Sequence, residues 1–211
     1  MDLYTTRYLG GVGALLMFIS FLPFVGTYTF GVLGLVGLIL LMIAAKGLAD
    51  YYQEDKIFNN ALYGVILAIV GVVAFIGVAV FALIGFFSQI GMTLGFNTFW
   101  DWQSWTAIDW QAMQDAILGS GALVWLGYIA LALVVLFVFV VAAAIFVRKS
   151  IDITSKKTGV RLFGTTGTML LVGAVLTIIL IGLLLLWISL LLIAIAFFQI
   201  TAQPAQAPPP P

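Results

Sequence analysis

Two stretches of this chain run without a charge for far longer than one membrane helix needs. Tyr8 to Ala45 is 38 residues with no Asp, Glu, Lys or Arg, and Leu162 to Ile200 is 39. Two more charge-free runs, Ile57–Trp100 and Ala116–Val147, lie between them. A soluble domain carries roughly 25% charged residues. This one, at 211 residues, is 64% hydrophobic and 8% charged, with eight basic and eight acidic side chains. No water-facing surface can be made from so few, and the sequence predicts an all-α integral membrane protein.

Run length then sets the number of spans. A spanning helix needs about 20 residues at about 1.5 Å each. As single helices the two terminal runs would each be about 57 Å long, nearly twice the hydrocarbon core of about 30 Å. Each is better folded as a helical hairpin. Pro23 and Gly26 break the first run, and only Gly182 marks a break in the last. The middle runs read as single helices, near 60–87 and 118–147. The expectation is about six transmembrane helices, two terminal hairpins plus two long central helices, at 8–22, 28–48, 60–87, 118–147, 163–181 and 183–200. The first is short enough to be re-entrant. Residues 1–200 then make one transmembrane helical domain, with a Pro-rich disordered tail at 201–211. The N-terminus lacks the pattern of a cleaved signal peptide, since Asp2 accompanies Arg7 and apolar sequence continues past Gly26.

Six spans place all eight bases (Arg7, Lys46, Lys56, Arg148, Lys149, Lys156, Lys157 and Arg161) on one side, and Asp101, Asp109 and Asp115 on the other. Cytoplasmic loops are the ones rich in Lys and Arg. The expected location is therefore the cell membrane, with both termini cytoplasmic. Four spans with the N-terminus outside would misplace only Arg7, so helix length decides for six. The basic loop Arg148–Arg161 should lie against anionic headgroups, at about 1 kcal/mol per base near the surface.

Residues 88–116 form an extracytoplasmic, Trp-rich interfacial segment. Trp100, Trp102, Trp105 and Trp110 fall within eleven positions. Indole prefers the headgroup level, so an aromatic belt is favoured over a carbohydrate- or lipid-binding platform. Thr106 and Asp109 resemble a capping box that opens a short interfacial helix. A second pattern, R-x-x-G-x-x-G-x-[LM]-L, occurs from Arg7 and again from Arg161. Duplicated hairpins or chance in a Gly/Leu-rich chain would both produce it.

The absences exclude much chemistry. With no Cys and no His there is no thiolate nucleophile, disulfide, Cys/His zinc site or His relay. Zero net charge and no long basic run leave no grip for nucleic acid. No ionisable residue lies deep in a span, which argues against a proton- or sodium-coupled transporter. Thr177 and Ser189, the deepest hydroxyls, should bond their own helix backbones. Asp50, Glu54 and Asp55 with Tyr51 and Tyr52 could gather a hard cation such as Mg²⁺. Their spacing matches no metal loop, and Lys46 with Asp50 reads as an i,i+4 ion pair. Small residues at Ala61, Gly64, Ala68, Gly71, Ala82 and Gly85, and at Gly31, Gly34 and Gly37, mark faces for close helix packing.

Several segments carry a family resemblance: Leu9–Leu16, Lys46–Tyr52, Ile57–Gly64, Thr158–Thr165 and Ala194–Phe198, with the Pro-rich end. Together they resemble an uncharacterised, mostly archaeal family of small multi-pass membrane proteins, domain of unknown function nine-nine-six. The resemblance covers about residues 9–87 and 156–211 and omits the Trp-rich segment. It implies a membrane location and supplies no activity, cofactor or functional residue. No catalytic, cofactor-binding or metal-ligating residue is assigned. The expected function is non-enzymatic: an accessory, scaffold or assembly subunit in contact with lipid, another membrane protein or a further copy of itself. The alternative is an uncoupled channel or carrier for a small neutral or lipid-like solute.

Overall fold

The computed structural model describes residues 2–22, 31–95, 110–119, 121 and 123–201. Among these residues there are helices and no strands. Helix α1 (Leu3–Ser20) opens where the Asp2 carboxylate accepts the Thr5 N–H at 3.1 Å, satisfying a first-turn donor. Helix α2 (Val32–Tyr52) follows Gly31, whose φ of 78° suits a residue without a side chain. It stops at Gln53 in the left-handed region, with the Gln53 and Glu54 amides both turned back to the Ala49 carbonyl. Helix α3 (Lys56–Thr93) begins three residues later. A short α4 (Trp110–Gly119), α5 (Leu123–Thr158), α6 (Arg161–Val175) and α7 (Ile181–Phe198) complete the order. A 3₁₀ turn at Leu176–Ile179 joins the last two.

Five of these are long and apolar enough to cross a membrane: α2, α3, α5, Arg161–Ile179 and α7. Helix α1 is not among them. Its 18 residues would reach about 27 Å, but Thr5, Thr6 and Arg7 and three glycines dilute its apolar content. The expected six spans are thus six long helices of which five meet the membrane criteria. Helices α3 and α5, at 38 and 36 residues, extend about 57 and 54 Å. They outrun the expected bounds at both ends of α3 and at the C-terminal end of α5.

The chain forms two compact units, Met1–Leu67 with Val140–Pro211, and Ala68–Phe139. In the first unit the glycines set the helix pairing. A Cβ on Gly13 would lie 2.7 Å from the Gly37 carbonyl oxygen, and one on Gly37 would lie 2.8 Å from Met17 N. Helices α1 and α2 therefore run antiparallel in backbone contact, and the first charge-free run doubles back. The second hairpin closes between Gly173 and Gly182, whose backbones touch. Its bend is not at Gly182 but at Leu176–Leu180, where Leu180 takes φ 62°. Gly182 is needed instead for close approach. Helix α7 also packs antiparallel on α1: Phe197 covers Gly10, and Trp187 stacks on Phe18 with ring centroids 4.6 Å apart. The Trp187 indole N–H donates to the Phe18 carbonyl at 3.0 Å, satisfying an acceptor near the end of α1.

The second unit is simpler. Here α3 and α5 meet antiparallel at Gly71 under Phe139 and at Gly85 under Trp125, with Phe81 edge-on to Trp125. Helix α4 packs Ala116 on Ile90, with Phe86, Leu94, Met113 and Ile117 around them. The small-residue face expected along the third helix is thus a packing face. Of the three glycines expected to play that part in the second helix, Gly34 and Gly37 do, while Gly31 touches nothing and serves the turn.

One other expectation changes. Most of the basic loop is helix, because α5 continues to Thr158. The Arg148–Asp152 pair at i,i+4 supports that extension, and the Thr154 and Thr158 hydroxyls are satisfied by carbonyls four residues back. The two copies of the Arg-Gly-Gly pattern do unlike work: Gly10 and Gly13 pack on α7 and α2, whereas Gly164 and Gly167 pack on Ser155, Arg148 and Asp152 of α5. Pro23, Gly26, Trp100, Trp102, Trp105, Thr106, Asp109 and the Pro-rich tail beyond Thr201 lie outside the described residues.

Candidate functional site at the charged end of the first unit

All eight bases belong to the first unit, together with five acids, Asp2, Asp50, Glu54, Asp55 and Asp152. Apart from Asp2 and Arg7 at the start of α1, they gather toward the turns from α2 into α3 and from α5 into α6. Lys46 Nζ sits 2.8 Å from Asp50 Oδ1, the expected pair, and 3.9 Å from Asp55. Lys157 reaches Glu54 at 3.5 Å and so links α5 to the α2–α3 turn. The carboxylates considered for a hard cation therefore turn toward two different lysines. Among the described residues no group of three or more acids converges.

Beneath these charges lies the core of the unit. Phe163, Leu48, Ile57, Ile200 and Ala196 are nearly or fully buried. The Ser150 hydroxyl, also buried, donates to the Ile57 carbonyl at 2.6 Å, tying α5 to the start of α3. Thr166 and Ser189 donate to carbonyls one turn back in their own helices, as does Thr177 to Ala174. Every buried hydroxyl in this core faces backbone rather than open space. A cavity of about 60 Å³ remains between Leu48, Ile57, Ile151 and Phe197, room for a few waters. Outside it, an open apolar groove of about 440 Å³ is lined by Leu38, Ile39, Met42, Ile43, Phe58 and Val65, with Lys46 at one end.

Arg7 has the most distinctive surroundings. Its Nη1 donates to the Ile200 carbonyl at 3.1 Å, and its guanidinium lies 5.9 Å from the Tyr4 ring centroid and 5.1 Å from that of Tyr8. Sequence reasoning used Arg7 as a charge marker and as the opening of a repeated pattern. Nothing local signals its contact with Ile200, 193 positions away.

Helices of this length and apolarity, with ionisable groups confined to the ends of the long helices, define an all-α integral membrane protein. Residues 33–195 match the sequence profile of the family described as "Protein of unknown function (DUF996)", and the chain belongs to that family. The match runs through the Trp-rich segment, which the residue-level resemblance had omitted. An uncharacterised protein of the archaeon Methanocaldococcus jannaschii is 26% identical over 200 residues, covering 95% of this chain and 94% of that protein. No solved structure matches.

Proposed function

We propose that the protein is a non-enzymatic accessory, scaffold or assembly subunit of the cell membrane, with both termini in the cytoplasm. The observation that supports this reading is the closed interior of the first unit. Its buried hydroxyls are spent on backbone carbonyls and its cavity holds a few waters at most. A solute path needs continuous polar or open lining, and a packed bundle instead favours holding a neighbour. The chain has no Cys or His, and Asp50, Glu54 and Asp152 are each turned to a base, which supports a non-enzymatic role. The partner is another membrane protein or a further copy of the chain, within lipid. Positive-side orientation supports the cytoplasmic placement of the termini.

The test is purification from the native membrane in a mild detergent, followed by mass spectrometry and sizing. A stoichiometric partner or a defined oligomer is expected, and a lone monomer overturns the accessory reading. A second reading, an uncoupled carrier of a lipid-like solute, is favoured by the open apolar groove beside Lys46. Transfer of a fluorescent lipid between leaflets of vesicles containing the purified protein would support it over the first.

A further inference from the structure

Among the eight bases, Arg7 is in an unusual position. Lys46, Arg148 and Lys157 each pair with a carboxylate. Lys56, Lys149, Lys156 and Arg161 are exposed and open to water. Arg7 is partly buried, and no carboxylate among the described residues reaches ion-pair distance of it. Its Nε is buried with no hydrogen-bond partner among the described residues, and its Nη2 meets the Tyr8 hydroxyl only at 3.5 Å. A guanidinium offers five N–H donors in a planar fork. One carbonyl and two ring faces balance only part of a charge withdrawn from water.

We propose that Arg7, with the hydroxyls of Tyr4 and Tyr8, binds the phosphate of an anionic lipid headgroup. The planar fork suits a phosphate better than a lysine ammonium does. Tyr4 and Tyr8 share the outer face of α1, at 66% and 39% exposure, so the open side of the site is the surface of the bundle and not a cavity. The antiparallel pairing of α1 with α2 sets Arg7 level with the Lys46–Asp50 end of α2, where the chain's charges collect. That is headgroup depth, where tyrosines also concentrate. A phosphate held by a lipid is therefore favoured over one free in solution. This inference stands apart from the accessory role and survives its failure.

The full chain, purified in detergent and stripped of lipid, is titrated with phosphatidylglycerol and with phosphatidylcholine, and bound lipid is counted by native mass spectrometry. Phosphatidylglycerol should bind about tenfold more tightly, the size expected of charge-assisted hydrogen bonds. Arg7→Gln should remove most of that preference, and Arg7→Lys should restore part of it. If Arg7→Gln does not fold, Tyr4→Phe with Tyr8→Phe keeps the charge and should still weaken the preference several-fold. Equal binding of the two lipids by the unaltered chain overturns the proposal, as does an undiminished preference in folded Arg7→Gln or in the double tyrosine variant. Full displacement of phosphatidylglycerol by an equal concentration of inorganic phosphate overturns the lipid as the source of the anion.

Discussion

The two units solve the same problem, holding helices together in lipid, with different materials. The first unit holds every base and joins its helices by several kinds of contact. Backbone touches backbone at Gly13 and Gly37, Trp187 and Ser150 donate across helices, and Lys157 reaches Glu54. The second unit has no base, and its long helices meet where glycines sit under aromatic rings. Its outward residues, such as Ile69, Val73, Ile76 and Phe81, are at least half exposed and face lipid. In hydrocarbon, apolar area alone drives no association. The first unit thus adds backbone contacts that cannot shift, whereas the long helices of the second meet through ring contacts that can.

That contrast is open to direct attack. The largest effect should come from Gly13→Leu, because the new side chain meets the Gly37 carbonyl and the Leu41 amide, which are backbone and cannot rotate away. A loss of about 3 kcal/mol is expected, read as a large fall in thermal midpoint in detergent. Ser150→Ala removes a buried cross-helix donor to Ile57 and should cost about 1–2 kcal/mol by the same assay. Gly85→Ala, in the second unit, meets the Trp125 ring at 2.5 Å. A ring on a rotatable side chain can move, so the loss should be about 1 kcal/mol. An equal or greater fall than for Gly13→Leu would erase the distinction between the units. Gly77→Ala meets nothing within 4 Å and should stabilise the helix by up to about 1 kcal/mol. A loss there would reveal an unseen neighbour on that face.

The smallest effect concerns pH. The Thr5 hydroxyl and amide hold the Asp2 carboxyl below its ordinary value. A group whose folded pKa is depressed stabilises fully above its unfolded pKa and loses that contribution as pH falls through the folded one. Amide exchange at the start of α1 should therefore quicken below the ordinary Asp range of about 4. In Asp2→Ala, exchange there should be fast and insensitive to pH after correction for intrinsic rates.

Much of the layout was legible because it rests on local facts. The length of the two terminal charge-free runs showed that each folds back, the spacing of Lys46 and Asp50 gave their pair, and Gly64, Gly71 and Gly85 marked the face that α3 turns to α5. Helix ends were less legible. A cluster of bases reads as a loop, yet Arg148–Thr158 stays helical, with Asp152 pairing Arg148 one turn back. Leu180 bends the last hairpin with no glycine at the bend. Least legible was the setting of Arg7, and likewise the Trp187 bond to Phe18, because both depend on which distant helix arrives beside α1.

Those two long-range contacts carry a consequence for biosynthesis. Helix α1 leaves the ribosome long before helix α7, which completes it. Until residues 181–200 are made, Gly10 and Gly11 lie bare, the Phe18 carbonyl lacks its indole donor and Arg7 lacks the Ile200 oxygen. A nascent chain therefore carries α1 with that face uncovered, and a product cut short before residue 181 would keep it so.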